Sequence, residues 1–255
     1  MMQFVVTPSA GKRLIAKGIA RHPEVLRALD EGTVAVLAGT TNGYVAEELL
    51  SQIGQAEGFS RQGFVRGITV PPSVLTDETG RSPHEHQFPG DVIIVKGKWL
   101  RGKTIFDVVD DLREGDVVLK GANAIDPARK QAAILIGHPK GGTIGAALQA
   151  VVGRRVRLIL PVGLEKRVLS DLNELAVKVN SPGGKGPRLL PVPGEVFTEI
   201  EALSLLTGAR ADIIAAGGVR GAEGAVRLAV WGSNEEIEKA NALMASVVGE
   251  PPFSF

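Results

Sequence analysis

The chain has no cysteine. Disulfides, thiolate metal sites and cysteine nucleophiles are therefore excluded, and the composition fits a reducing, cytoplasmic setting. Aromatic residues make up 4% of the 255 positions, too few for the stacking platforms that hold single-stranded nucleic acid. Neither sign of charge dominates. Twenty-nine basic and 28 acidic residues leave a net charge of +1, so no long-range field draws nucleic acid or a membrane surface to the chain. Long apolar runs are also missing: nothing approaches the roughly 18 residues a membrane span needs. The opening MMQFVVTPSAGKRLIAKG meets Lys12 and Arg13 too early for a signal peptide.

What the chain has in quantity is glycine, placed after short apolar runs. The stretch 33–50 shows the pattern best. Val34, Val36 and Leu37 read as a buried strand, Gly39-Thr40-Thr41-Asn42-Gly43 as a turn, and Tyr44, Val45, Leu49 and Leu50 as a helix face. A strand feeding a helix through such a turn aims backbone N–H groups and the positive end of the helix dipole at one spot, which suits an anion. The competing reading is an ordinary loop with Thr41 or Asn42 as N-cap.

Before this unit, Ser9 is the expected N-cap of a first helix and Pro23 opens a second, closed by Gly32. The segment GKRLIAK lacks the glycine and hydroxyl residue of a nucleotide phosphate loop. After it, residues 59–90 are irregular and proline-rich, with strand character only at 67–70; the length suits a lid or an oligomer contact. His84 and His86 would share a side of an extended segment, with Asp77, Glu78 or His138 able to complete a metal site. A solvated loop is the simpler reading, and neither a metal nor a cofactor is expected.

From residue 91 the pattern is regular: strands at 91–97, 116–126, 132–139 and 155–163, with helices at 105–115, 144–153 and 164–179. Apolar strands alternating with helices imply a mostly parallel, doubly wound α/β sheet buried on both faces, over residues 1–180. Ligands of such sheets sit beyond the carboxyl ends of the strands. Three polar, glycine-rich turns fall there: 39–43, 120–126 and 138–143. Residues 181–187 read as a linker. Residues 188–255 then run strand, helix, strand, strand, helix, strand, with a hairpin at 220–224, Asn234 as the last N-cap and PPFSF as the final strand. That is the order of a small ferredoxin-like α+β lobe.

These turns resemble those of the superfamily of ribose-5-phosphate isomerases, glucosamine-6-phosphate deaminases and CoA-transferases, over roughly residues 10–175. Gly39-Thr40-Thr41-Asn42-Gly43 is similar to the isomerase phosphate turn with its glycine displaced. Gly121-Ala122-Asn123 leading to Asp126 resembles a Gly-Ala-Asp motif with the first acid replaced by an amide, and Lys140-Gly141-Gly142 resembles a third motif. The resemblance implies a Glu-Lys pair about nine residues after Lys140, with the glutamate as base. Gln149 stands near that spot and cannot take a proton. Glu165-Lys166 is the comparable pair, placed more as in the related lactate-utilisation type domains.

Two functions follow as expectations. As an enzyme, the chain would hold a phosphorylated or CoA-type anion through Gly39, Thr40, Thr41, Asn42, Gly43, Asn123, Gly141, Gly142 and Thr143. Lys140 would stabilise developing negative charge, and Asp126 or Glu165 would act as base or nucleophile. As a ligand sensor or a subunit of an assembly it would do no chemistry, and the loss of acids at 123 and 149 favours binding. Catalysis predicts a carboxylate within reach of the anion turn; pure binding predicts amides and hydroxyls. A nicotinamide-dependent enzyme is disfavoured because no Gly-x-Gly-x-x-Gly follows the first strand. The expected partners are a small anionic metabolite and further copies of the chain.

Overall fold

A computed structural model of the chain describes residues 1–67, 69–71 and 89–253. Strand β1 (Met2–Val6) precedes helices α1 (Pro8–Ile19) and α2 (Pro23–Glu31), and β2 (Thr33–Val36) runs into α3 (Thr40–Gln52). Next come β3 (Val92–Val95), β4 (Lys98–Trp99), the one-turn α4 (Ile105–Val108), β5 (Val117–Leu119), β6 (Ala124–Asp126) and β7 (Gln131–Ile136). Helix α5 (Gly142–Arg154) leads to β8 (Arg157–Pro161), α6 (Leu172–Val179), β9 (Arg188–Val192) and β10 (Glu195–Phe197). The chain finishes with α7 (Glu199–Thr207), β11 (Arg210–Ala216), β12 (Val226–Trp231) and α8 (Asn234–Ala245).

The molecule is α/β, built on a six-stranded sheet of order β10-β8-β5-β2-β3-β4. Its first four strands are parallel; β3 pairs antiparallel with β2, and β4 antiparallel with β3. Alternate side chains enter opposite cores, as the two-residue period of a strand requires. Val34, Val36, Val117, Leu119 and Ile159 join Leu14, Ile15, Tyr44 and Leu49 of α1 and α3. Ala35, Leu37, Val118, Leu158 and Leu160 join Ile105, Ile144 and Ala147 on the other face. Both faces are thus dry, which explains the unbroken apolar runs. The antiparallel sheet β6-β7-β9 adds Ile134, Ile136 and Val192 to the second core. No helix among the described residues is long and apolar enough to cross a membrane.

Helix α1 is buried on most sides, between α3 and α7. Small residues permit this: a methyl group on Gly18 would come within 2.7 Å of the Ala202 Cβ. Its N-cap is Thr7, whose hydroxyl accepts the Ala10 N–H at 3.3 Å, rather than Ser9, which is buried in the first turn. Similarly, Ser233 caps α8 in place of Asn234.

Several expectations need correction. The helix expected over 105–115 stops after one turn, because Arg154 reaches across to the carbonyls of Val109 and Leu112 and satisfies them outside a helix. The helix expected over 164–179 is split. A 3-10 turn at Leu164–Lys166 gives way to extended chain, which bridges Ile125 at Arg167, and Asp171 restarts the helix by accepting the N–H groups of Asn173 and Glu174. Residues 188–255 do not pair as a ferredoxin-like lobe, and the strands do not divide at 180/188. β9 joins β7, β10 extends the main sheet beside β8, and β12 lies between β11 and β1. The N-terminal strand therefore takes the place expected for PPFSF, of which Pro251–Phe253 carries no strand and the last two residues lie outside the described part. The strand expected at 67–70 is absent at its described positions, and His84, His86, Asp77 and Glu78 also lie outside the described residues.

Candidate functional site

In the main sheet the chain leaves β2 for β3 on one side, while β5 continues to β8 on the other. The crevice beyond the carboxyl ends of β2 and β5 is thus a topological switch point, where open α/β sheets place ligands. A cavity of about 320 Å³ lies there. Gly39, Thr40 and Thr41 wall it from the β2 side, and Lys120, Gly121, Ala122 and Asn123 from the β5 side.

Gly39 is the N-cap of α3 and offers no capping side chain; a methyl group on it would meet nothing within 4 Å. The first turn of a helix has N–H groups without intrahelical acceptors, and here the first bonded one is Gly43, to the Gly39 carbonyl at 2.8 Å. Thr41 lines the cavity and is 2% exposed, and its buried hydroxyl has no hydrogen-bond partner among the described residues. Asn42, expected to bind substrate, is instead fully buried behind the turn. Its amide donates to the Leu37 carbonyl at 2.7 Å and the Leu119 carbonyl at 2.9 Å, tying the ends of β2 and β5 together. Gly43 also lies behind, where a methyl group would come 2.9 Å from the Arg61 Cβ.

Four cations line the cavity, Lys12, Arg66, Lys120 and Lys166, and among the described residues no carboxylate does. Lys12, on α1, donates to the Pro8 carbonyl at 3.2 Å and pairs with Glu165 at 3.4 Å. Lys166 donates to the Ala122 carbonyl at 3.0 Å and so steadies the chain after β5. Arg66 lies 3.7 Å from buried Asp91, whose carboxylate accepts the N–H groups of Ala38 and Ile105. Lys120 follows β5 directly, and among the described residues its ammonium has neither a hydrogen bond nor an ion pair. Burial pushes its pKa down to about 8; Arg66 and Lys166 act in the same direction, and the attraction of Asp91 offsets them only in part. Lys166 is lowered too, by burial first and then by Lys12.

Two carboxyl groups stand behind this wall. Glu199 is 2% exposed, and its carboxyl accepts the Leu164 N–H at 3.0 Å. Burial, then the nearby charge of Glu165, raises its pKa to about 8, so it is mostly protonated at neutral pH. One oxygen of Glu165 meets Lys12, and the other is buried without a hydrogen-bond partner among the described residues. Glu165, expected as a base, therefore sits next to a cavity-lining lysine without itself lining the cavity.

A second, smaller cavity of about 70 Å³ adjoins the first and shares Arg66, Gly67, Lys120 and Asn123 with it. The turn Gly141-Gly142-Thr143 opens here, at the start of α5. Asn123 stands between the two, accepting the Leu135 N–H at 3.0 Å and donating to the Gly67 carbonyl at 3.3 Å. The structure thus brings Gly39, Thr40, Thr41 and Asn123 to one cavity and Gly141, Gly142 and Thr143 to its neighbour.

Two expected catalytic residues are elsewhere. Lys140 is exposed and lines neither cavity; its N–H donates to the His138 ring at 3.1 Å. Asp126 closes the β6–β7 turn, bound by the Arg129 guanidinium at 2.6 Å and by the N–H groups of Ala128 and Arg129. These three bonds, the Arg129 guanidinium first, hold it below the usual carboxylate range, and it lines neither cavity, so it is not placed as a base for this crevice. Among the described residues no cluster of three or more potential ligands is arranged for a metal.

Of the four cations, sequence reasoning singled out Lys166, in the pair Glu165-Lys166, and missed Lys12, Arg66 and Lys120. Lys120 had a legible signal, a charged residue ending a buried parallel strand just before a glycine. Lys12 and Arg66 had none, since a lysine in an amphipathic helix and an arginine in an irregular segment are ordinary surface features. Comparison with protein-family models, with curated proteins and with solved structures gave no match to this chain.

Proposed function

We propose that the crevice between β2 and β5 binds a small anionic metabolite, most simply a phosphorylated one. The observation that carries this reading is the concentration of Lys12, Arg66, Lys120 and Lys166 around one cavity that also receives the uncapped start of α3 and the unpartnered Thr41 hydroxyl. Burying several cations with no carboxylate among the described residues of the wall is costly unless an anion completes the set. A cavity of about 320 Å³ is at the small end of the range for ligand sites, about 300–1,000 Å³, and favours a sugar-phosphate-sized molecule over an intact CoA thioester. The earlier resemblance to sugar-phosphate isomerases and CoA-transferases is compatible with an anion at the turn after β2, and we keep that relationship as a proposal.

The absence of a lining carboxylate among the described residues favours binding over proton abstraction of the isomerase kind. The test is a thermal-shift panel of inorganic phosphate, sugar phosphates, nucleotides and CoA esters, with Thr41→Val alongside. A ligand at about 100 times its dissociation constant stabilises the fold by about 2.7 kcal/mol. The reading expects such a shift for a phosphorylated class and a smaller one at equal concentration for Thr41→Val. No shift for any anion would overturn it.

A further inference from the structure

A cavity with no carboxylate among its described lining residues need not be chemically idle, because it holds an amine. Lys120 is 9% exposed, faces both cavities, and has no hydrogen bond or ion pair among the described residues. The other two lysines of the wall are engaged: Lys12 by Pro8 and Glu165, Lys166 by the Ala122 carbonyl. A structural lysine normally spends its three donors on acceptors; this one is held beside other cations with none spent. A desolvated lysine next to cationic groups is the arrangement that keeps an amine nucleophilic near neutral pH.

We propose that Lys120 is an amine nucleophile that forms an imine with a small phosphorylated aldehyde or ketone whose phosphate is held at the start of α3. This rests on the anion-binding reading above. In the step, the neutral Nζ attacks the carbonyl carbon, a C–N bond forms, and the carbonyl π electrons pass to oxygen, which takes a proton. The nitrogen gives up one of its own protons to the same oxygen, and the carbinolamine then expels it as water while the freed nitrogen lone pair completes the C=N bond. The balance is one amine, one carbonyl and one proton giving one iminium and one water, with no oxidant or reductant. The depressed pKa of Lys120 supplies the neutral amine: at about 8, roughly one molecule in ten is unprotonated at pH 7. Burial is the main cause of that lowering; the positive charge of Arg66 and Lys166, which adds to it, also attracts the phosphate.

The experiment is borohydride trapping of the full chain with glyceraldehyde 3-phosphate or dihydroxyacetone phosphate, read by intact mass and peptide mapping. Glyceraldehyde serves as the uncharged control, and inorganic phosphate is tested by thermal shift in parallel. The expected result is one reduced adduct on Lys120, formed at least tenfold faster than on any other lysine and at least tenfold faster than with glyceraldehyde. In Lys120→Met the adduct at this position is lost. If phosphate stabilises the chain but the adducts are absent or spread over many lysines, the imine step is overturned and the anion site stands. If neither the shift nor the adduct occurs, both fail. Equal labelling of Lys120 by glyceraldehyde would overturn the substrate class. The wild-type peptide map decides the matter even if the variant does not fold.

Discussion

Lys12 and Arg13 are neighbours on α1 and serve two charged clusters of opposite character. Arg13 points to α3 and the C-terminal segment, where its guanidinium meets Glu47 at 2.8 Å, Glu48 at 2.9 Å and Glu250 at 2.9 Å. Arg61 joins from the far side, pairing with Glu47 and Glu250, and both guanidinium groups lie over the Tyr44 ring, 4.8 and 4.5 Å from its centre. Burial works against the Arg13 charge, but Glu250 and Glu47 outweigh it and hold the pKa above the ordinary value. Lys12 points to the crevice, where four cations gather and the carboxylates, Glu165 and Asp91, stand behind the wall. The first cluster is complete and fastens Glu250 to two helices. Among the described residues, the second has spare positive charge, an unpartnered ammonium and an unpartnered hydroxyl. Charge density alone does not mark a binding site; charge left without a partner does.

Breaking the complete cluster should have the largest effect on stability. Arg13→Met leaves three carboxylates facing one remaining arginine, and urea denaturation should show a loss of about 2–4 kcal/mol, somewhat under the range for fully buried pairs. Anion binding should not change. If instead the variant is as stable as wild type, the cluster is not the fastening described.

Glu199 tests the acids behind the crevice. With its pKa raised from 4.5 to about 8, the folded chain holds a proton that the unfolded chain has released between those values. This group's contribution to stability is therefore full below about pH 4.5, declines as pH rises, and is gone above about pH 8. Glu199→Gln keeps an acceptor for the Leu164 N–H and has nothing to titrate, so the fall in melting temperature between pH 5 and 8 should flatten. An unchanged slope would mean that Glu199 is ionised in the folded protein.

Lys120 gives the contrast with Arg13. Because its ammonium has no hydrogen bond or ion pair among the described residues and the attraction of Asp91 offsets its burial only in part, Lys120→Met removes an incompletely compensated buried charge and should raise stability by about 1 kcal/mol at pH 7. The wild-type penalty is present below about pH 8, where folded Lys120 is protonated, and is relieved as pH rises from there toward 10.5. The gain in the variant should shrink over the same interval. Affinity for a phosphorylated ligand should fall at least tenfold. The smallest effect is expected of Thr41→Val: stability within about 0.5 kcal/mol of wild type, since no bond is lost, and a ligand affinity lower by the 0.5–1.5 kcal/mol of one hydrogen bond.

The central strands were legible because burial on both faces of the main sheet forces runs such as Val34–Leu37 and Val117–Leu119 to be apolar throughout. The turn at Gly39 was legible because a strand, a glycine and a helix follow one another in sequence. The outer pairings were not. β1 finds its place only through β12, more than two hundred residues later, and β10 leaves the C-terminal part to extend the main sheet beside β8. Local periodicity carries no information about such partners. Asp126 and Lys140 fall outside the crevice for a related reason: their motifs suggest a base or nucleophile and a charge-stabilising lysine, but Arg129 binds the first and solvent surrounds the second. The crevice cations come from α1, the irregular segment after α3, the end of β5 and the turn after β8, so only the fold brings them together.

The most direct test of the anion site is a crystal structure of the chain soaked with tungstate, a heavy-atom mimic of phosphate, collected for anomalous signal. The account predicts one dominant peak in the crevice, within hydrogen-bond distance of the Thr41 hydroxyl and the N–H groups that open α3, with Lys120 turned toward it. A crevice without anomalous density at saturating tungstate, or tungstate found only on exposed lysines, would contradict it.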